Sequence, residues 1–169
     1  SYLGVDIPVI QKTLKDYSGT NRRFDLIGTT ENGVKVIDDY AHHPTEIKAT
    51  LAAAKNVKHN KLWLIFQPHT YTRTKALFSE FVDAFGDADV VILTDIYAAR
   101  EKDVYNISSY KLVTAMKAKH PDKPVYYVKD FEDIVRYIEK FAGKDDIVMT
   151  MGAGDVYKVG DMLLHKDVQ

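Results

Sequence analysis

The 169-residue sequence contains no cysteine. That absence excludes disulfides, thiolate metal sites and cysteine nucleophiles, and it suits a cytoplasmic protein. Long apolar runs are missing too. Nothing approaches the roughly 18 residues that a membrane span needs, and the amino end carries no signal-peptide pattern. Neither sign of charge is in excess: 23 Lys and Arg stand against 24 Asp and Glu, for a formal charge of -1. With no basic stripe, a surface built to bind nucleic acid is not expected, and small-molecule partners are favoured. Several catalytic signatures are absent as well. There is no G-x-x-x-x-G-K-[ST] loop, no G-x-G-x-x-G turn, no G-x-S-x-G elbow and no H-E-x-x-H pair. Independent ATP hydrolysis, serine-hydrolase chemistry and a dedicated zinc site are therefore disfavoured.

What is present is one domain's length of chain, 46% hydrophobic, enough for a core. Residues 6–17 place Ile7, Ile10 and Leu14 on one helical face, with Pro8 tolerated in the first turn. After "SGTNRR" come "FDLIG" and "VKVID", two β-rich runs joined by "TTENG". Asn32-Gly33 there predicts the positive φ angles of a hairpin turn. Beyond Tyr40 the rhythm becomes strand, polar loop, amphipathic helix. Strands are predicted at 61–66, 89–94, 123–128 and 145–151. Helices are predicted over 45–56, over 108–119 with Ser108 or Ser109 as cap, and over 131–142 with Asp130 as cap. One more helix carries Leu77, Phe78, Phe81, Val82 and Phe85, and another follows "GAGD". This alternation predicts an α/β fold: a doubly wound, Rossmann-like, mostly parallel sheet with an amino-terminal antiparallel hairpin. The first 22 residues read as a lead-in to residues 23–169.

In such a sheet ligands bind outside the carboxyl ends of the strands. "DDYAHHPT", "QPHTYTRT", "DIYAARE" and "GAGD" each follow a strand, so all four fall on that edge, whereas "NVKHN", "FGDAD", "HPDK" and "AGKDD" on the other edge are ordinary polar turns. Each unusual residue also has a plain reading. His42 or His43 can cap a helix, and with His69 they form a conceivable metal set without a recognised spacing. Arg73, in the first turn of its helix, sits where a cation is unfavourable unless an anion lies nearby. "MGAGD" offers amides for an anion, or is simply a tight turn. Asp95 is a polar contact or a cap.

Together, "DDYAHHPTEIKATLAAAK", "FQPHTYTRTKALFSEFVDAF", "ADVVILTDIYAARE" and "TMGAGDVYK" resemble the last domain of the Mur ligases, over about Gly19 to Met162. Similarity is greatest to the members that join L-alanine to UDP-N-acetylmuramate. The resemblance implies ATP-dependent amide ligation in peptidoglycan synthesis. ATP phosphorylates the muramoyl carboxylate, the alanine amine attacks the acyl phosphate, and phosphate leaves. It also implies that residues 1–22 are the tail of a central domain, that this central domain holds most of the ATP and Mg2+ contacts, and that it and a UDP-binding amino-terminal domain lie elsewhere. By the same resemblance, His42 and His43 are catalytic, orienting the amine or the phosphates. Tyr40, His42, His69, Thr72 and Arg73 line the amino-acid site, with Arg73 clamping the alanine carboxylate. Asp39 supports the imidazoles, and Asp39, Thr45, Asp95 and Gly154 face the nucleotide. Many family members have a second arginine where this sequence has Thr70, so the clamp rests on Arg73. The competing readings are another ligase of the same superfamily, or a flavodoxin-like or receiver-like binding module without catalysis.

Overall fold

Strands whose residues are buried along their whole length must be covered on both faces, and the central strands here are of that kind. A computed structural model describes residues 4–16 and 20–165, without the side chains of residues 14–16. The strands are β1 (Asp25–Thr29), β2 (Lys35–Asp39), β3 (Leu62–Phe66), β4 (Val90–Leu93), β5 (Val125–Tyr127) and β6 (Ile147–Met151). They form one sheet in the order β1-β2-β6-β3-β4-β5. Only the β1-β2 pair is antiparallel; the other neighbours run parallel. Every residue of β3, β4 and β6 is buried.

The helices are α1 (Ile7–Asp16), α2 (Pro44–Ala54), α3 (Tyr71–Ala76), α4 (Phe78–Val82), α5 (Ser109–Lys119), α6 (Phe131–Phe141) and α7 (Tyr157–Leu163). Alternate strand residues feed two cores. Leu62, Leu64 and Phe66 pack with Ile47 and Leu51 of α2, Phe81 of α4, and Leu112 and Met116 of α5. Trp63, Ile65 and Val148 pack on the other face with Ile134 and Ile138 of α6 and Val159 and Leu163 of α7. The expected doubly wound sheet is therefore present. Leu14, expected on the α1 face, lies outside the described side chains, and Ile7 and Ile10 of that face are exposed.

Three local expectations change. The helix expected to carry Leu77, Phe78, Phe81, Val82 and Phe85 is the short α4, set off from α3 at Leu77, which takes φ -105° and ψ 20°, and ended at Asp83 before Phe85. Tertiary packing overrides the periodicity. Phe81 and Phe85 sit 5.7 and 5.1 Å from the Phe66 ring, while α3 is held at the strand ends by its loop contacts. In the hairpin, Gly33 takes positive φ, at +81°, but Asn32 does not. Thr30 N donates to Val34 O at 2.9 Å, closing a three-residue loop that needs one left-handed residue at its end rather than two. Asp130 occupies the N-cap position of α6 but makes no side-chain cap bond.

The parallel register aligns the strand ends. Asp39 and Phe66 both pair with Met151, and Phe66 pairs with Leu93. The loops after β2, β3, β4 and β6 thus leave from one rim. Next to β6 the chain order reverses, since α2 carries the chain from β2 past β6 to β3 and α6 returns it to β6. That is where an open α/β sheet leaves a crevice.

Candidate functional site

The turn after β2 is fixed by a buried carboxylate. Asp39 accepts Phe24 N at 2.8 Å and Ala41 N at 2.7 Å. Both oxygens are thereby engaged by backbone amides, so the expected support of the imidazoles by Asp39 is not what the structure shows. Glu46 is the carboxylate beside the imidazoles. It lies 3.7 Å from His42 Nδ1 and accepts His42 N at 3.0 Å and His43 N at 3.2 Å. Burial alone would raise the Glu46 carboxyl, but those two amides and the His42 and Arg23 charges hold it below the ordinary value. His43 is the N-cap of α2, its Nδ1 accepting Thr45 N at 3.3 Å within a capping box completed by Glu46. Thr45 itself is exposed. His42 turns the other way. Its Nδ1 meets the Tyr40 carbonyl at 3.0 Å, and its ring packs edge-on to Tyr40 and 6.1 Å from His69.

The loop after β3 supplies His69 and leads into α3. Thr70 takes φ +67°, a conformation that costs a residue with a branched side chain about 1–3 kcal/mol. It persists because Thr70 N donates to Tyr97 O at 2.9 Å, Tyr97 N donates to Pro68 O at 2.8 Å, and the Thr70 hydroxyl accepts Arg73 N. These bonds lash the β3 loop to the β4 loop and stack His69 on Tyr97, with centroids 5.5 Å apart. Arg73, third in α3, places Nη1 3.4 Å from His69 Nδ1. Among the described residues, no carboxylate forms an ion pair with it. The anion wanted at this helix start is in part internal, because Glu101 from the β4 loop accepts Thr72 N at 2.8 Å.

His69 is held below its ordinary value of 6.5 by burial, then by the Arg73 and His42 charges, against an upward pull from Glu101. Between 6.5 and the depressed folded value the unfolded chain binds a proton that the folded chain does not, so this group's contribution to stability falls as pH drops through that window. The expected NMR titration of the His69 ring has its midpoint below 6.5 and moves up in Arg73→Ala. A midpoint unmoved by that substitution would contradict the assignment of cause.

The remaining expected residues are engaged elsewhere. A Cβ on Gly154 would sit 2.7 Å from the Tyr97 ring and against Gln67 Oε1, so glycine here permits close packing behind His69. Gly152 N donates to Asp39 O, and Val156 N to Gln67 Oε1. The Gly152 and Val156 amides are thus engaged within the fold. Asp95 accepts the Tyr127 hydroxyl at 2.5 Å; burial, then that bond, push the phenol up to about 12. Among the described residues, no three acidic or imidazole side chains form a metal-binding group. Tyr40, His42, His69 and Arg73 do come together, with Thr72 beside Glu101.

A family model described as Mur ligase, glutamate ligase domain, matches residues 22–154. The chain belongs to the Mur ligase family. This Mur ligase domain is 54% identical to the UDP-N-acetylmuramate--L-alanine ligase of Acetivibrio thermocellus over 167 residues, 99% of the chain and 35% of that protein. It is also 54% identical to the ligase of the same name in Lachnospira eligens, over 96% of the chain and 35% of that protein. Its fold matches the crystal structure of the UDP-N-acetylmuramate-alanine ligase of Thermotoga maritima at a TM-score of 0.77 and 27% identity, covering 97% of this chain and 34% of the other. The chain spans about a third of the length of the curated relatives it matches. The stand-alone binding module is not favoured.

Sequence reasoning missed the residue that ties this Mur ligase domain's entry segment to its rim. Arg22 Nε donates to Asp38 at 2.7 Å and Nη2 to Gly152 O at 2.7 Å, and its guanidinium lies 5.1 Å from the Tyr40 ring and 4.8 Å from that of Tyr157. No local pattern announces those partners. Glu101 and Gln67 were missed for the same reason. Glu46 was within reach, because an acidic residue three positions after a cap is the capping-box signature.

Proposed function

We propose that this chain is the carboxyl-terminal, amino-acid-binding domain of a cytoplasmic enzyme that joins L-alanine to UDP-N-acetylmuramate with ATP. In this reading residues 1–22 end a preceding central domain, and residues 23–169 form the domain that swings closed. The observation that carries it is Arg73, a guanidinium without a carboxylate partner among the described residues, held beside His69 and His42 at the strand ends. A planar fork of donors matches an amino-acid carboxylate. The 54% identity to ligases named for L-alanine supports the choice of substrate.

ATP first converts the muramoyl carboxylate to an acyl phosphate, the amine attacks its carbonyl, and phosphate departs. ATP and Mg2+ bind chiefly on the central domain, in keeping with the engaged amides and carboxylates of this chain. Acyl phosphates hydrolyse readily, so closure that excludes water protects the intermediate and sets amine and carbonyl in attack geometry. In the complete protein, phosphate release that depends on ATP and UDP-N-acetylmuramate is expected to be fastest with L-alanine across a panel of amino acids. Preference for another amino acid would remove the substrate assignment, and absence of release with any of them would remove the reaction class. The chain alone is expected to show no ligation.

A further inference from the structure

We infer that hydrogen bonding sorts the three rim histidines into opposite tautomers, leaving His42 as the one that offers a basic ring nitrogen to the attacking amine. The partners decide this, because each can play only one role. A carbonyl oxygen only accepts, so the 3.0 Å contact with Tyr40 O places the proton of neutral His42 on Nδ1. Its Nε2 then carries a lone pair. A guanidinium only donates, so the contact between Arg73 Nη1 and His69 Nδ1 places the His69 proton on Nε2. A backbone amide only donates, so Thr45 N does the same to His43. The free nitrogens of His43 and His69 are therefore donors, suited to oxygen atoms, whereas that of His42 accepts a proton.

The surroundings of His42 favour that duty. Glu46 lies 3.7 Å from Nδ1, on the side where imidazolium charge is delocalised, and is itself steadied by Arg23 at 4.0 Å. Tyr40 packs against the ring edge, and His69, neutral over a wider range because its titration is depressed, faces it from the next loop. The step rests on the ligase reading above. The α-ammonium of the amino acid gives one proton to His42 Nε2, which passes it to solvent. The freed nitrogen lone pair forms the C–N bond. The carbonyl carbon's bond to the phosphate oxygen breaks with its electron pair, and the second nitrogen proton leaves on the phosphate.

Two measurements test this. Two-bond 1H-15N correlation spectra of the chain, above the histidine titration range, are expected to show Nδ1–H for His42 and Nε2–H for His43 and His69; Nε2–H at His42 would overturn the proposal. In the complete protein, His42→Asn keeps a side-chain N–H for the Tyr40 carbonyl but has no distal base. Ligation is expected to fall about 100- to 10,000-fold near neutral pH, and its rate to climb steadily with pH as free amine accumulates. ATP positional isotope exchange without amino acid reports acyl phosphate formation alone, and its loss is expected to be far smaller. A wild-type pH profile in the variant, or equal losses in the two reactions, would refute the role. If instead the ligase reading is wrong, the unsubstituted protein itself fails to ligate L-alanine, while the tautomer pattern stands.

Discussion

On the proposed ligase function, Arg73→Ala in the complete protein is expected to raise the Michaelis constant for L-alanine about 30- to 150-fold, corresponding to the roughly 2–3 kcal/mol contributed by a hydrogen bond to a charged group. The Michaelis constant for ATP is expected to stay unchanged. The selectivity follows from the position of the side chain. Arg73 has His69 as its hydrogen-bond partner and no ion-pair partner among the described residues, so its remaining donors are available to an incoming carboxylate. Its backbone is also fixed by the Thr70 cap, so a bound carboxylate meets a positioned fork rather than a wandering cation. Arg73→Lys retains charge but loses the planar pair of donors, and recovers only part of the affinity. Steady-state kinetics with each substrate varied in turn decide the matter. Equal rises in both constants would show a general disturbance of the domain instead of a lost carboxylate contact.

Arg22→Ala lowers stability by about 3 kcal/mol near neutral pH, because it leaves a buried carboxylate without its cation. Asp38 is 2% exposed, and burial pushes its carboxyl above the ordinary value even with the bonds from Thr150 and Arg22 that pull it down. A carboxyl raised in this way stabilises the fold most when protonated; that contribution is lost as pH rises through its folded value. Removing Arg22 raises the folded value further and widens the window upward. The variant's deficit is therefore small in acid and grows toward neutrality. Denaturant unfolding at a series of pH values reads this directly, and a deficit independent of pH would mean that the pair does not govern the loss. The same substitution removes the guanidinium packed between Tyr40 and Tyr157, so the entry segment loses its hold on the rim that carries His42.

Much of this architecture is written in local pattern. Buried runs such as "LWLIF" and "IVMTM", separated by amphipathic helices, require a sheet covered on both faces, and the hairpin ahead of them is announced by its turn. Once the later strands are parallel, geometry sends every strand-to-helix loop to the same edge, so strand direction alone groups the unusual residues at one rim. The break at Leu77 was not legible. The apolar spacing from Leu77 to Phe85 does not mark a break at Leu77; the partners on either side of it, the Phe66 ring against Phe81 and Phe85 and the Tyr97 carbonyl bonded to Thr70 N, come from distant segments.

The chain of amino acids by itself determined the fold class, the rim and the chemical types gathered there, since side-chain periodicity and strand direction are local properties that propagate through the sheet. Tertiary structure alone decided which of those groups remain available. Asp39 is engaged by Phe24, Val156 by Gln67, Asp95 by Tyr127 and Thr72 by Glu101, each a partner at least 15 residues away. A polar side chain acts on a ligand only with the hydrogen-bonding capacity that its own fold leaves unfilled, and partners brought in from distant segments set that remainder.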